Sequence, residues 1–67
     1  MIDIVLNGAP YRLAEGCTLD RLIAQLQLQG QALALAVNRS VVPRQTWQAR
    51  VLAPQDQVDI VRAIGGG

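Results

Sequence analysis

The chain ends on three consecutive glycines, Gly65-Gly66-Gly67, and this stretch offers the most distinctive chemistry in the sequence. Glycine has no side chain, so the stretch presents only backbone and a terminal carboxylate. At about 3.3–3.6 Å per extended residue, three residues span roughly 10 Å, which is enough to carry the carboxylate into a narrow channel. Because chain termini are often disordered, a frayed tail without function is the alternative interpretation.

The terminal carboxylate belongs to Gly67 and is ionised at pH 7, so it is a nucleophile and a poor electrophile. A partner that uses ATP could convert it to an acyl-adenylate, and a sulfur or amine nucleophile could then take the acyl group. Gly65 and Gly66 would leave the narrow, water-excluding active site of that partner unobstructed. We therefore predict that Gly67 is the modified residue and that Gly65 and Gly66 thread into the partner.

Cys17 is the only thiol and directly precedes a predicted helix, where the N-terminus can lower a thiol pKa. A redox or acyl-carrying role is conceivable on that ground. No histidine or lysine supports it, and free cysteine is among the most often buried residue types. The favoured interpretation is a packing residue.

Two carboxylates, Asp56 and Asp59, lie three positions apart, a spacing that can serve acid–base chemistry. We interpret them as a turn residue and a solvent-facing strand residue. Trp47 is interpreted as a core residue in preference to an interface anchor. Three basic side chains are expected to be solvated, although a partner could recognise them through charge: Arg44, Arg50 and Arg62.

The composition limits which other functions are possible. Sixty-seven residues with 51% hydrophobic content make one small globular domain, and a single cysteine excludes an internal disulfide and favours a reducing cytoplasm. No basic stripe points to nucleic acid, and no signal peptide or membrane-spanning apolar run is present. The chain has no histidine and no lysine, so we expect no catalytic residue, metal site or bound cofactor, and interpret it as a protein acted on by enzymes.

The first half of the chain predicts a hairpin followed by a helix. The segment 2–6 alternates as a half-buried strand, Asn7-Gly8 is a strong hairpin signal, and 11–13 reads as the returning strand. Thr18 is placed as the helix N-cap, and Gly30 as its left-handed stop. One apolar stripe follows helical spacing: Leu19, Leu22, Ile23 and Leu26.

The second half predicts strands with short connections. Small and large residues alternate over 32–37, which is typical of a central strand covered on both faces. A short helical turn is expected within 44–48, a brief pairing at 51–52 and a last strand over 58–62. The order predicts an α+β fold, a mixed sheet of four to five strands with one main helix across one face. Strands one and five should lie side by side in the middle of the sheet, with the tail at a sheet edge. The domain is placed at 1–64 and the tail at 65–67.

Several segments together resemble the sulfur carrier proteins of thiamine biosynthesis, the ThiS family, over the whole chain. They are Ile4-Val5-Leu6-Asn7-Gly8, Thr18-Leu19, Ala36-Val37-Asn38, Val42-Pro43-Arg44 with Trp47, the run 56–62, and the terminal glycines. One departure is Gln55, where the family usually carries glycine before the aspartate of the last turn.

The resemblance implies a ubiquitin-like β-grasp fold and a partner set. An E1-like adenylyltransferase (ThiF) would adenylate Gly67 with ATP and magnesium, a cysteine desulfurase relay would supply sulfur for a thiocarboxylate, and thiazole synthase (ThiG) would receive it. Two alternatives stay open: another β-grasp carrier serving molybdopterin or cysteine synthesis, and a ubiquitin-like modifier attached to lysines of other proteins.

Overall fold

The computed structural model describes residues 1–62, and its elements follow the predicted order. The predicted tail, 65–67, and the last two residues of the predicted domain lie outside the described residues. The elements are β1 (Ile2–Leu6), β2 (Ala9–Leu13), α1 (Leu19–Gln25), β3 (Leu33–Val37), β4 (Ser40–Val42), a 3₁₀ helix (Arg44–Thr46) and β5 (Gln57–Arg62).

Within residues 1–62 the strands form one five-stranded mixed sheet in the order β2-β1-β5-β3-β4. Strands β1 and β5 run parallel, and the other three pairs are antiparallel. The predicted neighbourhood of the first and last strands is therefore confirmed. Their expected place in the middle of the sheet is confirmed as well, whereas the tail expected at a sheet edge lies outside the described residues.

The hairpin between β1 and β2 closes through Asn7 and Gly8, which both have positive φ, 50° and 82°. Two successive left-handed residues make a type I′ turn, whose twist matches that of the flanking strands. Leu6 consequently pairs with Ala9. Pro10 lies in β2, an edge strand, where its missing N–H does not interrupt a second ladder.

Helix α1 begins as predicted, because the hydroxyl of Thr18 accepts a hydrogen bond from the Arg21 N–H at 3.3 Å. Its end differs from the expectation for Gly30. The helix stops at Gln25, and Gln27 takes the left-handed conformation, with φ of 60°. Gly30 is also left-handed, at φ 78°, but it belongs to the following turn.

The helix ends in a Schellman motif without glycine. The N–H of Gln27 donates to the carbonyl of Ala24, and the N–H of Leu28 reaches back to the carbonyl of Ile23, both at 3.0 Å. Ile23 belongs to the apolar core cluster, and the partly buried Leu28 packs against it. This packing favours the early stop even though glutamine is strained at positive φ.

The core lies between the helix and one face of the sheet. Six large side chains in it are almost wholly buried: Ile4, Leu13, Leu19, Leu22, Leu35 and Val58. On β3 the large residues face this core, whereas Ala34 is exposed on the opposite face. The expectation that β3 is covered on both faces is therefore wrong for the part of the chain that the structure describes.

The predicted short helical turn is the 3₁₀ helix, and it seats Trp47 in the core. Trp47 is 4% exposed, and its indole N–H donates to the carbonyl of Val42 at 2.9 Å. This confirms the interpretation of Trp47 as a core residue. Val51 forms a single bridge with Thr18, which is the brief pairing expected there.

Candidate functional site at the end of the last strand

The predicted reactive residues, Gly65, Gly66 and Gly67, lie outside the described residues, so their roles stay predictions. The described part of the chain ends at Arg62, the last residue of β5. Gly67 follows it by five positions in the sequence. The course of the chain up to Arg62 depends on the contacts that hold β5 in the sheet.

The two neighbours of β5 pair with it over unequal lengths. Strand β3 pairs with it from Val37↔Val58 to Leu33↔Arg62, along almost its whole length. Strand β1 pairs with it at only two positions, and the last of these is Leu6↔Val58. In the described chain, β3 is thus the one strand that continues beside residues 59–62.

Asn7 lies where β1 turns away from β5, and it bonds β5 twice. Its backbone N–H donates to the carbonyl of Val58 at 2.9 Å. Its side-chain oxygen Oδ1 accepts from the N–H of Ile60 at 2.8 Å. From the sequence, Asn7 is recognisable only as a turn residue, because glycine, aspartate and asparagine all satisfy that turn and nothing local reveals the second bond.

Asn38 makes the same pair of bonds from the other side of β5. Its N–H donates to the carbonyl of Gln57 at 2.7 Å, and its Oδ1 accepts from the N–H of Gln57 at 3.0 Å. Like Asn7, it is left-handed, with φ of 51°. The two asparagines therefore hold β5 from opposite neighbours, Asn38 at its start and Asn7 beyond its middle.

Asp56, the first of the two paired carboxylates, proves to be structural. It is 8% exposed and accepts hydrogen bonds from the Asn38 side chain at 3.0 Å and from the Ala53 N–H at 2.8 Å. Arg50 adds a longer ionic contact at 3.9 Å. Asp59 is exposed on β5. The interpretation of the two residues as turn and strand residues is confirmed.

Gln55 occupies the turn position where the resemblance led us to expect glycine. It adopts the left-handed conformation at φ 68° and donates its N–H to the carbonyl of Asp3 at 2.7 Å. The substitution therefore leaves the turn geometry intact and places a glutamine under backbone strain.

An apolar groove of about 470 Å³ lies beside the end of β5 on the open face of the sheet. Val61, which is 62% exposed, pairs with Ala34 in the sheet. The residues lining the groove are Ala32, Leu33, Ala34, Arg44 and Val61. Arg44 is exposed, as expected, but it is also anchored: it donates to the carbonyl of Gln31 at 2.8 Å, and its guanidinium lies 5.0 Å from the centre of the Trp47 ring.

Cys17 is buried, with 6% exposure, and its thiol donates to the carbonyl of Thr18 at 3.5 Å. Burial raises the pKa of this thiol above its ordinary value, and the charge of Arg21 opposes that effect only in part. The lowered thiol pKa that the helix N-terminus made conceivable is therefore not found, and the favoured interpretation of Cys17 as a packing residue is confirmed.

Among residues 1–62, no three His, Cys, Asp or Glu side chains come together as a group able to hold a metal ion. No helix in that part of the chain has the length and apolar character needed to span a membrane.

The fold and the course of β5 define a class of protein. A mixed sheet with the first and last strands parallel at its centre, and one helix across one face, is a ubiquitin-like β-grasp domain. A crystal structure of the thiamine biosynthesis protein ThiS from Geobacter metallireducens superposes with a TM-score of 0.85. It is 25% identical, and the match covers 98% of this chain and 100% of that one.

The sequence comparisons name the family. The ThiS family model matches residues 4–67, which includes the three terminal glycines. The sulfur carrier protein ThiS of Escherichia coli is 32% identical over 66 residues, or 98% of this chain and 100% of its own length. The chain therefore belongs to the ThiS family of sulfur carrier proteins.

A second relative has a different size. A thiazole synthase of Magnetococcus marinus is 41% identical over 66 residues, which are 98% of this chain but only 20% of that protein. One fifth of that relative thus resembles almost the whole of this chain.

Proposed function

We propose that this chain carries sulfur as a thiocarboxylate on Gly67 and donates it to formation of the thiazole of thiamine. The observation that carries the proposal is the ThiS family match, which runs through the glycine terminus to residue 67. The geometry of β5 supports it, because a strand fixed by neighbours on both sides gives the terminal residues a defined starting point.

The first step is activation by an E1-like adenylyltransferase (ThiF). A carboxylate oxygen of Gly67 attacks the α-phosphorus of ATP, and magnesium pyrophosphate leaves. In the second step a sulfur nucleophile from a cysteine desulfurase relay attacks the carbonyl carbon. The new C–S bond replaces the C–O bond to AMP, and AMP leaves. Because the relay carries its sulfur as a persulfide, the product is an acyl disulfide, and attack of a thiol on the relay sulfur breaks its S–S bond, which releases the thiocarboxylate and leaves a disulfide on the relay. ATP and magnesium belong to the partner enzyme, and the carrier contributes its carboxylate.

Thiazole synthase (ThiG) is the proposed acceptor of the sulfur. The Magnetococcus marinus thiazole synthase supports this assignment, since one fifth of its length resembles this chain. A persistent thiocarboxylate and a single reduced, buried thiol both suit a reducing compartment, so we place the carrier in the cytoplasm.

The test is the intact mass of the protein purified from its native host. We expect a fraction whose mass exceeds that of the unmodified chain by the difference between one sulfur and one oxygen, located by fragmentation at Gly67. A version that lacks Gly67 is the control and should show no such fraction. Recovery of Gly67 amide-linked to lysines of other proteins would instead identify a protein modifier. A thiocarboxylate bound to molybdopterin synthase in place of thiazole synthase would identify a different pathway.

A further inference from the structure

We infer that Asn7 is a positioning residue that sets the course on which β5 delivers the terminal carboxylate to the activating enzyme. The inference rests on the proposed function, since it concerns how Gly67 reaches that enzyme. It depends on the double hydrogen bond of Asn7 to β5, which a turn residue does not need.

The geometry shows how the side chain substitutes for a strand. The backbone of β1 leaves β5 after the pair Leu6↔Val58, because the type I′ turn begins at Asn7. The next β5 amide on that side is the N–H of Ile60, and the Asn7 Oδ1 accepts from it at 2.8 Å. The side chain therefore adds one more hydrogen bond to the ladder than the backbone of β1 provides.

That hydrogen bond lies near the end of β5, so it can affect where the terminal carboxylate is delivered. Ile60 lies two residues before Arg62, and five further residues separate Arg62 from Gly67. Five extended residues reach about 16–18 Å, so the course of β5 decides which volume the carboxylate can enter. Misplacement of reacting atoms by about 1 Å can lower a rate by roughly a factor of 100.

Strand ends are the least stable part of a ladder, so one bond has a visible effect there. Without the Asn7 acceptor, residues 59–62 would be held by β3 alone among the strands that the structure describes. A larger fraction of the molecules would then have the end of β5 displaced from the sheet. The apparent affinity for the adenylyltransferase would fall in proportion to the fraction of molecules in which the end of β5 stays in place.

Asn38 provides a matched control within the same molecule. It has the same left-handed backbone, and it also donates to a β5 carbonyl and accepts from a β5 amide. Its amide partner is Gln57, at the start of the strand. A loss of the Asn38 side chain should weaken the fold without redirecting the end of β5.

The experiment compares Asn7→Gly, Asn7→Asp and Asn38→Gly with the unmodified chain. Glycine keeps the positive φ and the backbone N–H of position 7 but removes the acceptor, whereas aspartate keeps an acceptor. Amide hydrogen exchange is measured at Ile60 and Gln57. KM for the carrier and kcat are measured with the cognate adenylyltransferase, ATP and magnesium, well below every unfolding midpoint.

For Asn7→Gly we expect exchange at Ile60 to be roughly two- to tenfold faster, the factor that corresponds to one net hydrogen bond, with KM raised by at most that factor and kcat retained. Asn7→Asp should restore both values to near those of the unmodified chain. Asn38→Gly should accelerate exchange at Gln57 and leave KM unchanged.

Several results would overturn the inference. Faster exchange at Ile60 with an unchanged KM in Asn7→Gly would reject it while the proposed function stands, as would an equal rise of KM in Asn38→Gly. If Asn7→Gly fails to fold, the test is made by NMR on the unmodified chain. A scalar coupling across the hydrogen bond, between the Ile60 amide nitrogen and Asn7 Cγ, would support the inference, and its absence would reject it. No adenylation of the unmodified chain would reject the proposed function as well.

Discussion

The side-chain amide of Asn38 donates a hydrogen bond to the carboxylate of Asp56 at 3.0 Å, across 18 positions of sequence. The contact joins the turn between β3 and β4 to the turn that precedes β5. Asp56 also accepts from the Ala53 N–H, so one buried carboxylate fixes both the shape of its own turn and the neighbouring strand pair. The start of the middle strand therefore depends on a polar contact and not on apolar packing alone.

We expect Asp56→Ala to lower the free energy of unfolding by about 1–3 kcal/mol, because it removes two part-buried hydrogen bonds, from Asn38 and Ala53, each worth roughly 0.5–1.5 kcal/mol. Urea unfolding measures the loss. Asp59→Ala is the control, since Asp59 is exposed on the same strand and should change stability by no more than about 0.5 kcal/mol. Equal losses in the two variants would show that the Asp56 contacts contribute nothing specific.

The sequence predicted the sheet, the helix start and the core position of Trp47, because each depends on a local pattern: alternation, an N-cap and apolar spacing. The dual roles of Asn7 and Asn38 were not predictable, since their side chains bond β5 residues far away in sequence. The helix end was missed for a related reason. Gln27 adopts a strained conformation because the residues around it pack against the core. The preference for glycine at the left-handed position after a helix is local and takes no account of that packing.

The strain at Gln55 predicts a stabilising substitution. Gln55→Gly should raise the free energy of unfolding by about 1 kcal/mol, because a residue with a side chain is disfavoured by roughly 1–2 kcal/mol at its φ of 68°, partly offset by the greater entropy of glycine in the unfolded chain. Thermal and urea unfolding both report the change. Gln57→Gly, in regular β5 backbone, should instead lose roughly 0.5–1 kcal/mol. A destabilised Gln55→Gly would mean that the glutamine side chain makes a favourable contact.

The buried thiol predicts two results for Cys17→Ser. A hydroxyl in that site should lower stability by about 1–3 kcal/mol, while sulfur loading of the folded protein should stay intact, because Cys17 is only a packing residue. Urea unfolding and the intact mass after loading are the measurements. Loss of loading in a folded variant would give the thiol a chemical role.

The pKa of Cys17 also predicts a pH dependence. Burial raises the pKa in the folded state, so the neutral thiol is favoured there and its stabilising contribution is complete below the unfolded-state pKa. That contribution is lost as pH rises through the folded-state pKa. The stability advantage of the unmodified chain over Cys17→Ser should therefore be constant near neutral pH and shrink in alkaline solution. An advantage that grows with pH would contradict the direction of the shift.

The proposed route for Gly67 makes its sharpest prediction at Gly66→Val. Every buried core residue of the described chain lies between Ile4 and Val58, so we expect the unfolding free energy to stay within about 0.5 kcal/mol of the unmodified value. Adenylation should be abolished, because a branched side chain thickens the segment that must enter the partner and restricts its backbone. Thermal unfolding and the rate of ATP–pyrophosphate exchange are measured side by side.

Gly66→Ala is the graded control for that prediction, because it adds a single methyl group and restricts the backbone less than valine does. Its exchange rate should lie between those of the unmodified chain and Gly66→Val, and all three proteins should unfold alike. Removal of Gly67 should abolish exchange, because the new terminal carboxylate, on Gly66, lies one residue short of the reacting position. If Gly66→Val is adenylated at the unmodified rate, the glycines are no threading segment. If the version without Gly67, which ends in a carboxylate on Gly66, supports exchange at the unmodified rate, activation does not require the full length of the terminal glycine segment.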